Sequence, residues 1–219
     1  VHMMILYVLL FFTLVWVDFS PLAKAKVPPV TETPAPKTKI MATFCRPEFQ
    51  LVMSLQAISY ASMAALMGAT PLAMHDEGFD FTQSSTAITA HMLGMFVPSL
   101  FCGSLIVRFG AYTVCFVGFI LGLAGAAAFL VKQSLLAFIL GITLVGVGWN
   151  FSFVAASARL TKLYDEENRR VVQSINEFIV IGSIGLTMVL TGLLYDRLGW
   201  ESFVILWIVV MGVALLATV

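Results

Sequence analysis

The sequence is short of charge. Only 11% of its 219 residues are Asp, Glu, Lys or Arg, where an ordinary soluble domain carries about 25%. Because 60% are hydrophobic, a water-soluble globule of this length would lack the polar surface to cover itself. A basic surplus is missing too: twelve basic residues balance twelve acidic ones, so nothing suggests a nucleic-acid partner. Cysteine is scarce. Cys45, Cys102 and Cys115 show no CxxC spacing and two of them lie in apolar blocks, which argues against a disulfide framework or a zinc site. The H-E-x-x-H, G-x-S-x-G and P-loop patterns are absent, so neither enzyme activity nor a metal or other cofactor is expected.

What is present is apolar sequence in blocks of about twenty residues, the length with which an α-helix crosses about 30 Å of hydrocarbon. The first block runs from Met3 to Val17 and stops at Asp18 and Pro21. Its length also suits a signal-peptide core, with Leu22-Ala23-Lys24-Ala25 as a small-residue site, but no basic residue precedes it. The expected reading is the tail of a transmembrane helix over residues 1–20. Residues 21–48 differ in kind. They hold six of the eight prolines and several Lys and Thr, a composition that cannot bury enough apolar surface to fold and predicts a semi-extended linker. Six further blocks follow in a bundle over 49–219: Gln50–Met74, Ser84–Val107, Ala111–Val131, Ser134–Ser157, Val172–Tyr195 and Ser202–Val219. Short polar breaks separate them.

Loop charge supplies an independent check on the count. One set of alternate loops carries Lys24, Lys26, Lys37, Lys39, Arg46, Arg108, Arg159, Lys162, Arg169 and Arg170, and the other only Lys132 and Arg197. A wrong span count would scramble this alternation. The positive-inside rule puts the linker 21–48 in the cytoplasm and the acidic loop around Asp76, Glu77 and Asp80 outside. The expected location is therefore a multi-pass position in a plasma or inner membrane, with the lipid bilayer as the first partner.

Two turns between blocks match. Gly103-Ser104-Leu105-Ile106-Val107-Arg108-Phe109-Gly110 and Gly192-Leu193-Leu194-Tyr195-Asp196-Arg197-Leu198-Gly199 repeat Gly, Leu, Arg and Gly at one spacing, 89 residues apart. Three blocks separate the copies. With an odd number of crossings between them, the two turns fall on opposite faces of the membrane, the mark of an inverted 3+3 repeat. Either turn alone is no more than a convenient helix connection.

Here the sequence resembles the major facilitator superfamily. Gly103, Leu105, Arg108 and Gly110 match that family's loop motif G-x-L-a-D-R-x-G-R in its C-terminal copy, with Val107 in place of the acidic residue and Ala111 in place of the last basic one. Asp196-Arg197 and Gly199-Trp200 are similar to the family's last outer loop. The resemblance implies an all-α membrane protein: a six-helix transporter half preceded by one additional helix, the end of helix six. The partner it implies is a missing N-terminal six-helix half. Gly103, Arg108 and Gly110 would then form a gating-loop motif.

Candidate pathway residues are the polar groups inside the blocks, each costly in hydrocarbon. Glu177 lies one and a half turns into the fifth block beside Asn176, His91 two turns into the second, and Asn150 deep in the fourth. Helical spacing gathers Thr143, Gly146, Asn150 and Ser157 on one face, and Asn176, Ser183, Thr187 and Thr191 on another. Gln56, Tyr60, Met63, Met67 and Thr70 form a third. Such faces need either one another or a water-filled cavity. Under the resemblance they sit on helices seven, ten and eleven, which line or flank a central passage. The expected function is secondary transport of a small solute by alternating access, with a proton as candidate coupling ion. The candidate contacts are Glu177, His91, Asn150, Asn176, Gln56 and Tyr60. The alternatives are a non-transporting membrane sensor or scaffold, and an inactive truncated fragment. Gly118, Gly122 and Gly125 predict close helix packing, and Pro71 and Pro98 predict kinked or terminated helices.

Overall fold

The structure, a computed structural model, describes residues 37–131 and 134–218. The first apolar block and most of the linker lie outside the described residues. Where the linker is described, it ends in a short helix, α1 (Lys37–Phe44), rather than in extended chain. Phe44 holds α1 against Phe49 of the next helix, ring centroids 4.9 Å apart.

Every described residue in regular structure is helical. Pro47 opens α2 (Pro47–Asp76), where its missing N–H costs nothing. Asp80 and Gln83 exchange bonds in a capping box that starts α3 (Phe81–Phe96). The second apolar block, expected as one span, is broken. Pro98 cannot donate to the preceding turn, and α4 (Ser99–Phe109) leaves α3 at 41°. Pro71, by contrast, is carried inside α2 without ending it. Next come α5 (Ala111–Val131), α6 (Leu135–Leu160), begun by a Ser134 hydroxyl that accepts from Ala137 N, and α7 (Arg169–Leu216). Among the described residues four helices, α2, α5, α6 and α7, are long and apolar enough to cross a membrane, and the bent α3–α4 pair, taken as one span, makes a fifth.

The 48 residues of α7 would measure about 72 Å as one straight helix, more than twice a bilayer core. Gly199 divides it in two, with φ 71° and ψ 168°, a conformation essentially closed to residues with a Cβ. The break expected over Asp196–Glu201 is thus one glycine rather than a loop. Gly110 ends α4 in the same conformation, φ 88° and ψ 153°. The final glycines of the two repeated turns therefore share one backbone geometry.

The core is built around α6. Its Gly148, Gly141 and Ser152 face Gly118, Gly122 and Gly125 of α5. A Cβ on Gly118 would lie 2.4 Å from Ser152 N, one on Gly125 2.5 Å from Gly141 O, and one on Gly148 2.5 Å from Gly122 N. On another side α6 meets α3, where a Cβ on Gly94 would lie 2.6 Å from Thr143 O and one on Gly146 2.7 Å from His91 O. The close packing expected of the α5 glycines is present. Small residues let backbones touch, the main source of helix association where lipid removes the hydrophobic drive. At the end of the bundle near Asp76, Phe129, Phe138, Trp200 and Phe203 form a buried aromatic cluster, with Phe129 and Trp200 centroids 5.2 Å apart.

A paired substitution tests these seams. Gly118→Ala should lower the thermal midpoint in detergent, at a cost of about 1–3 kcal/mol for overpacking. Gly212→Ala, whose Cβ would meet open space, should leave it unchanged or raise it through the helix preference of Ala, about 1 kcal/mol. Equal responses would contradict the packing.

Candidate solute pathway

The three polar stripes meet partners in two different ways. The α6 stripe is a seam with α3. Asn150, 1% exposed, donates from Nδ2 to Met95 O at 2.8 Å and to Ser99 Oγ. It therefore spans the α3–α4 bend, bonding the last turn of one helix and the first residue of the next. His91 is fully buried on the same seam, its Nδ1 2.7 Å from Ile142 O and its ring against Gly146. Both residues, singled out as pathway candidates, sit between two closely packed helices and hold them together.

The α2 and α7 stripes meet each other. Asn176 Nδ2 donates to Gln56 Oε1 at 3.2 Å, and Gly68 of α2 lies over Met188 and Thr191 of α7. Thr70, Ser183 and Thr191 bond carbonyls of their own helices, a common way for such hydroxyls to be satisfied in apolar surroundings. Gln56 Nε2 and Asn176 Oδ1 stay without a hydrogen-bond partner in the structure.

Tyr60 is half-buried and meets two rings of α6 edge-on, Trp149 at 5.0 Å and Phe153 at 5.1 Å. Trp149 stacks on Phe153 at 5.4 Å with 12° between planes. Trp149 and Phe153 belong to none of the polar stripes. Their spacing of four on α6 was the available signal. Glu177 stands apart from all of these. It is exposed on the outer side of α7 beside Phe178, itself 79% exposed, and no hydrogen bond joins it to His91 or Asn150. The gating-loop residues are likewise on the surface: Gly103, Arg108 and Gly110 are exposed, with Arg108 over the Phe109 ring at 5.2 Å.

Two latches at the ends of α2 lie outside the apolar blocks or at their margins. Glu48, in its first turn, accepts on Oε1 from Tyr112 Oη at 2.9 Å, from Arg159 Nε at 2.8 Å and from Arg159 Nη2. The guanidinium also lies 5.6 Å from the Tyr112 ring centre. This one carboxylate ties α2 to the start of α5 and the end of α6. At the other end Tyr195 donates to Asp76 Oδ2 at 2.5 Å. It does so at a cleft of about 370 Å³ lined also by Ala73, Glu77, Asp196, Gly199 and Trp200. Loop alternation was the signal available in sequence: Glu48 and Arg159 flank different spans on one predicted face.

Asn150→Leu removes the donor from Met95 O and Ser99 Oγ. It should lower the thermal midpoint by the equivalent of about 1 kcal/mol, the usual size of such bonds in membranes. An unaltered midpoint would contradict the role of Asn150 at the bend.

The sequence pattern of the Major Facilitator Superfamily matches residues 52–219. The riboflavin transporter RfnT of Brucella anthropi is 34% identical over 169 residues, which cover 77% of this chain and 42% of that protein. Two uncharacterized transporters of the same type from Bacillus subtilis, YdeG and YddS, are 29% and 36% identical over 58% and 44% of the chain. These matches cover 30% and 22% of the two proteins, so the matched region spans less than half the length of each of these relatives. The match takes in α3 to α7 whole and all of α2 beyond its first turn: this membrane-embedded helical chain belongs to the Major Facilitator Superfamily.

Proposed function

We propose that the chain is the C-terminal half of a secondary transporter, moving a small solute by alternating access together with an N-terminal six-helix half. The observation that carries the reading is the family match across 52–219, joined by a relative that is named a transporter. Six crossings follow if α3–α4 is one bent span and Gly199 separates two more. The inverted 3+3 repeat is supported by Gly110 and Gly199, which close the two copies of Gly-x-Leu-x-x-Arg-x-Gly with one unusual backbone conformation. In this reading the linker 21–48 and the Glu48–Arg159 latch face the cytoplasm, and the Asp76–Tyr195 latch faces outward.

The close α3–α6 and α5–α6 seams favour rigid-body rocking, because helices whose backbones touch have little room to slide. Solute contacts then come from the α2–α6–α7 side, through Gln56, Tyr60 and Asn176. Asn150 and His91 act on the solute only through the helices they hold in place. Glu177 is the candidate for proton coupling. An exposed carboxylate one and a half turns inside a span is costly against lipid, about 2.5–3.5 kcal/mol at a helix centre, which favours a water-filled passage or the other half as its surroundings.

Uptake by the full-length protein, measured against external pH, tests this role. Glu177→Gln, which removes the titrating group and keeps the shape, should slow uptake and flatten its pH dependence. An unchanged rate and pH profile would remove Glu177 from the coupling mechanism.

A further inference from the structure

We propose that Tyr60, Trp149 and Phe153 form a stacking face for the solute, and that the Gln56–Asn176 pair reads the solute's edge. The solute is then a planar heteroaromatic molecule carrying a lactam or imide. The proposal rests on the transport reading above and deepens it.

Two features of the rings support the first part. The aromatic cluster near Asp76 is core: Phe129, Phe138 and Phe203 are at most 1% exposed. Tyr60, Trp149 and Phe153 are only partly buried, so the same kind of cluster is left open where α2 meets α6. Trp149 and Phe153 are nearly parallel, and Tyr60 meets both edge-on. A flat solute can extend that arrangement by offering one more face or edge.

The amide pair supports the second part. Gln56 lies one turn before Tyr60 on α2, so the two share a helix face. Gln56 is 1% and Asn176 3% exposed, and their mutual bond leaves one amide nitrogen and one amide oxygen unpartnered. Buried polar groups without partners are expensive and call for an explanation. Each member of this bonded pair thus keeps one unused group, a donor on Gln56 and an acceptor on Asn176, and together these complement a C=O and an N–H of one ring, the edge that a lactam or imide presents. The carbonyl would accept from Gln56 Nε2, and the ring N–H would donate to Asn176 Oδ1. Because both atoms are closed off in this conformation, the proposal requires Tyr60 to move when solute enters. A sugar or an inorganic ion offers neither the flat face nor this edge. Riboflavin, the solute in the name of the Brucella relative, has both, including an imide N3–H.

The test uses the full-length protein in detergent, with riboflavin and N3-methylriboflavin as probes and quenching of flavin fluorescence as the readout. Riboflavin should bind with quenched emission, and the N3-methyl compound should bind about ten-fold more weakly, having lost the bond to Asn176. Trp149→Ala should weaken both flavins by about ten-fold or more, and Trp149→Phe should restore most of the affinity. Asn176→Leu should erase the preference for the unmethylated ring, while Asn176→Asp, which keeps an acceptor and nearly the same size, should retain it. Thermal midpoints and elution volumes check that each variant folds. The proposal is overturned if riboflavin does not bind, or if folded Trp149→Ala and Asn176→Leu proteins treat the two flavins as the wild type does. Uptake of some other solute without flavin binding would overturn it and leave the transport reading standing. Flavin binding without uptake would do the reverse.

Discussion

The rest of the bundle depends on backbone contact at α6. In a bilayer, lipid is as apolar as any side chain, so helices are held by close packing and by the few polar bonds between them. Glycines on α5 and α6, and Gly94 and Gly146 between α3 and α6, bring main chains to distances at which a single added carbon would collide with backbone atoms. That contact makes three helices into one block. It also decides where polar side chains can go. His91 and Asn150 lie within the seam and bond its carbonyls, whereas Gln56 and Asn176 on the α2–α7 side bond each other.

Within this arrangement α2 is the strut. It carries a carboxylate near each end, and each accepts a tyrosine hydroxyl from another helix: Glu48 from Tyr112 and Asp76 from Tyr195. The Glu48 latch is about a third exposed, with side-chain accessibilities of 33% and 41% for Arg159 and Glu48, so its worth to stability is small. Its chemistry suits making and breaking instead. A latch that is strong enough to define a state and weak enough to open is what the alternating access proposed above requires.

Much of this was legible in sequence. Six of the apolar blocks fall on described helices because length and hydropathy are dictated by the hydrocarbon itself, and Gly118, Gly122 and Gly125 announced close packing by spacing alone. The break at Pro98 was signalled, though not the division of one block into α3 and α4. Asn150, some fifty residues away, bonds both sides of that division, a contact that no local pattern announces. Pairings were harder. A stripe of Thr143, Gly146 and Asn150 has one appearance whether it lines water or meets another helix, since periodicity reports a face and not its neighbour. His91 and Glu177 illustrate the same point: both looked like intramembrane titrating groups, yet one is sealed in a seam and the other is exposed. Trp149 and Phe153 were hidden by their ordinariness, as aromatics among eighteen phenylalanines and four tryptophans.

The central claim is that α3, α5 and α6 form one body, which moves as a unit in the transport proposed above. Spin labels at Leu93 on α3 and Ile120 on α5, both exposed at 59% and 42%, report this directly across α6. The measurement is their distance distribution by pulsed electron resonance in the full-length protein, with and without a transported solute. The account predicts one narrow distribution between Leu93 and Ile120 that solute leaves unmoved. A shift or a second population between Leu93 and Ile120 would contradict it.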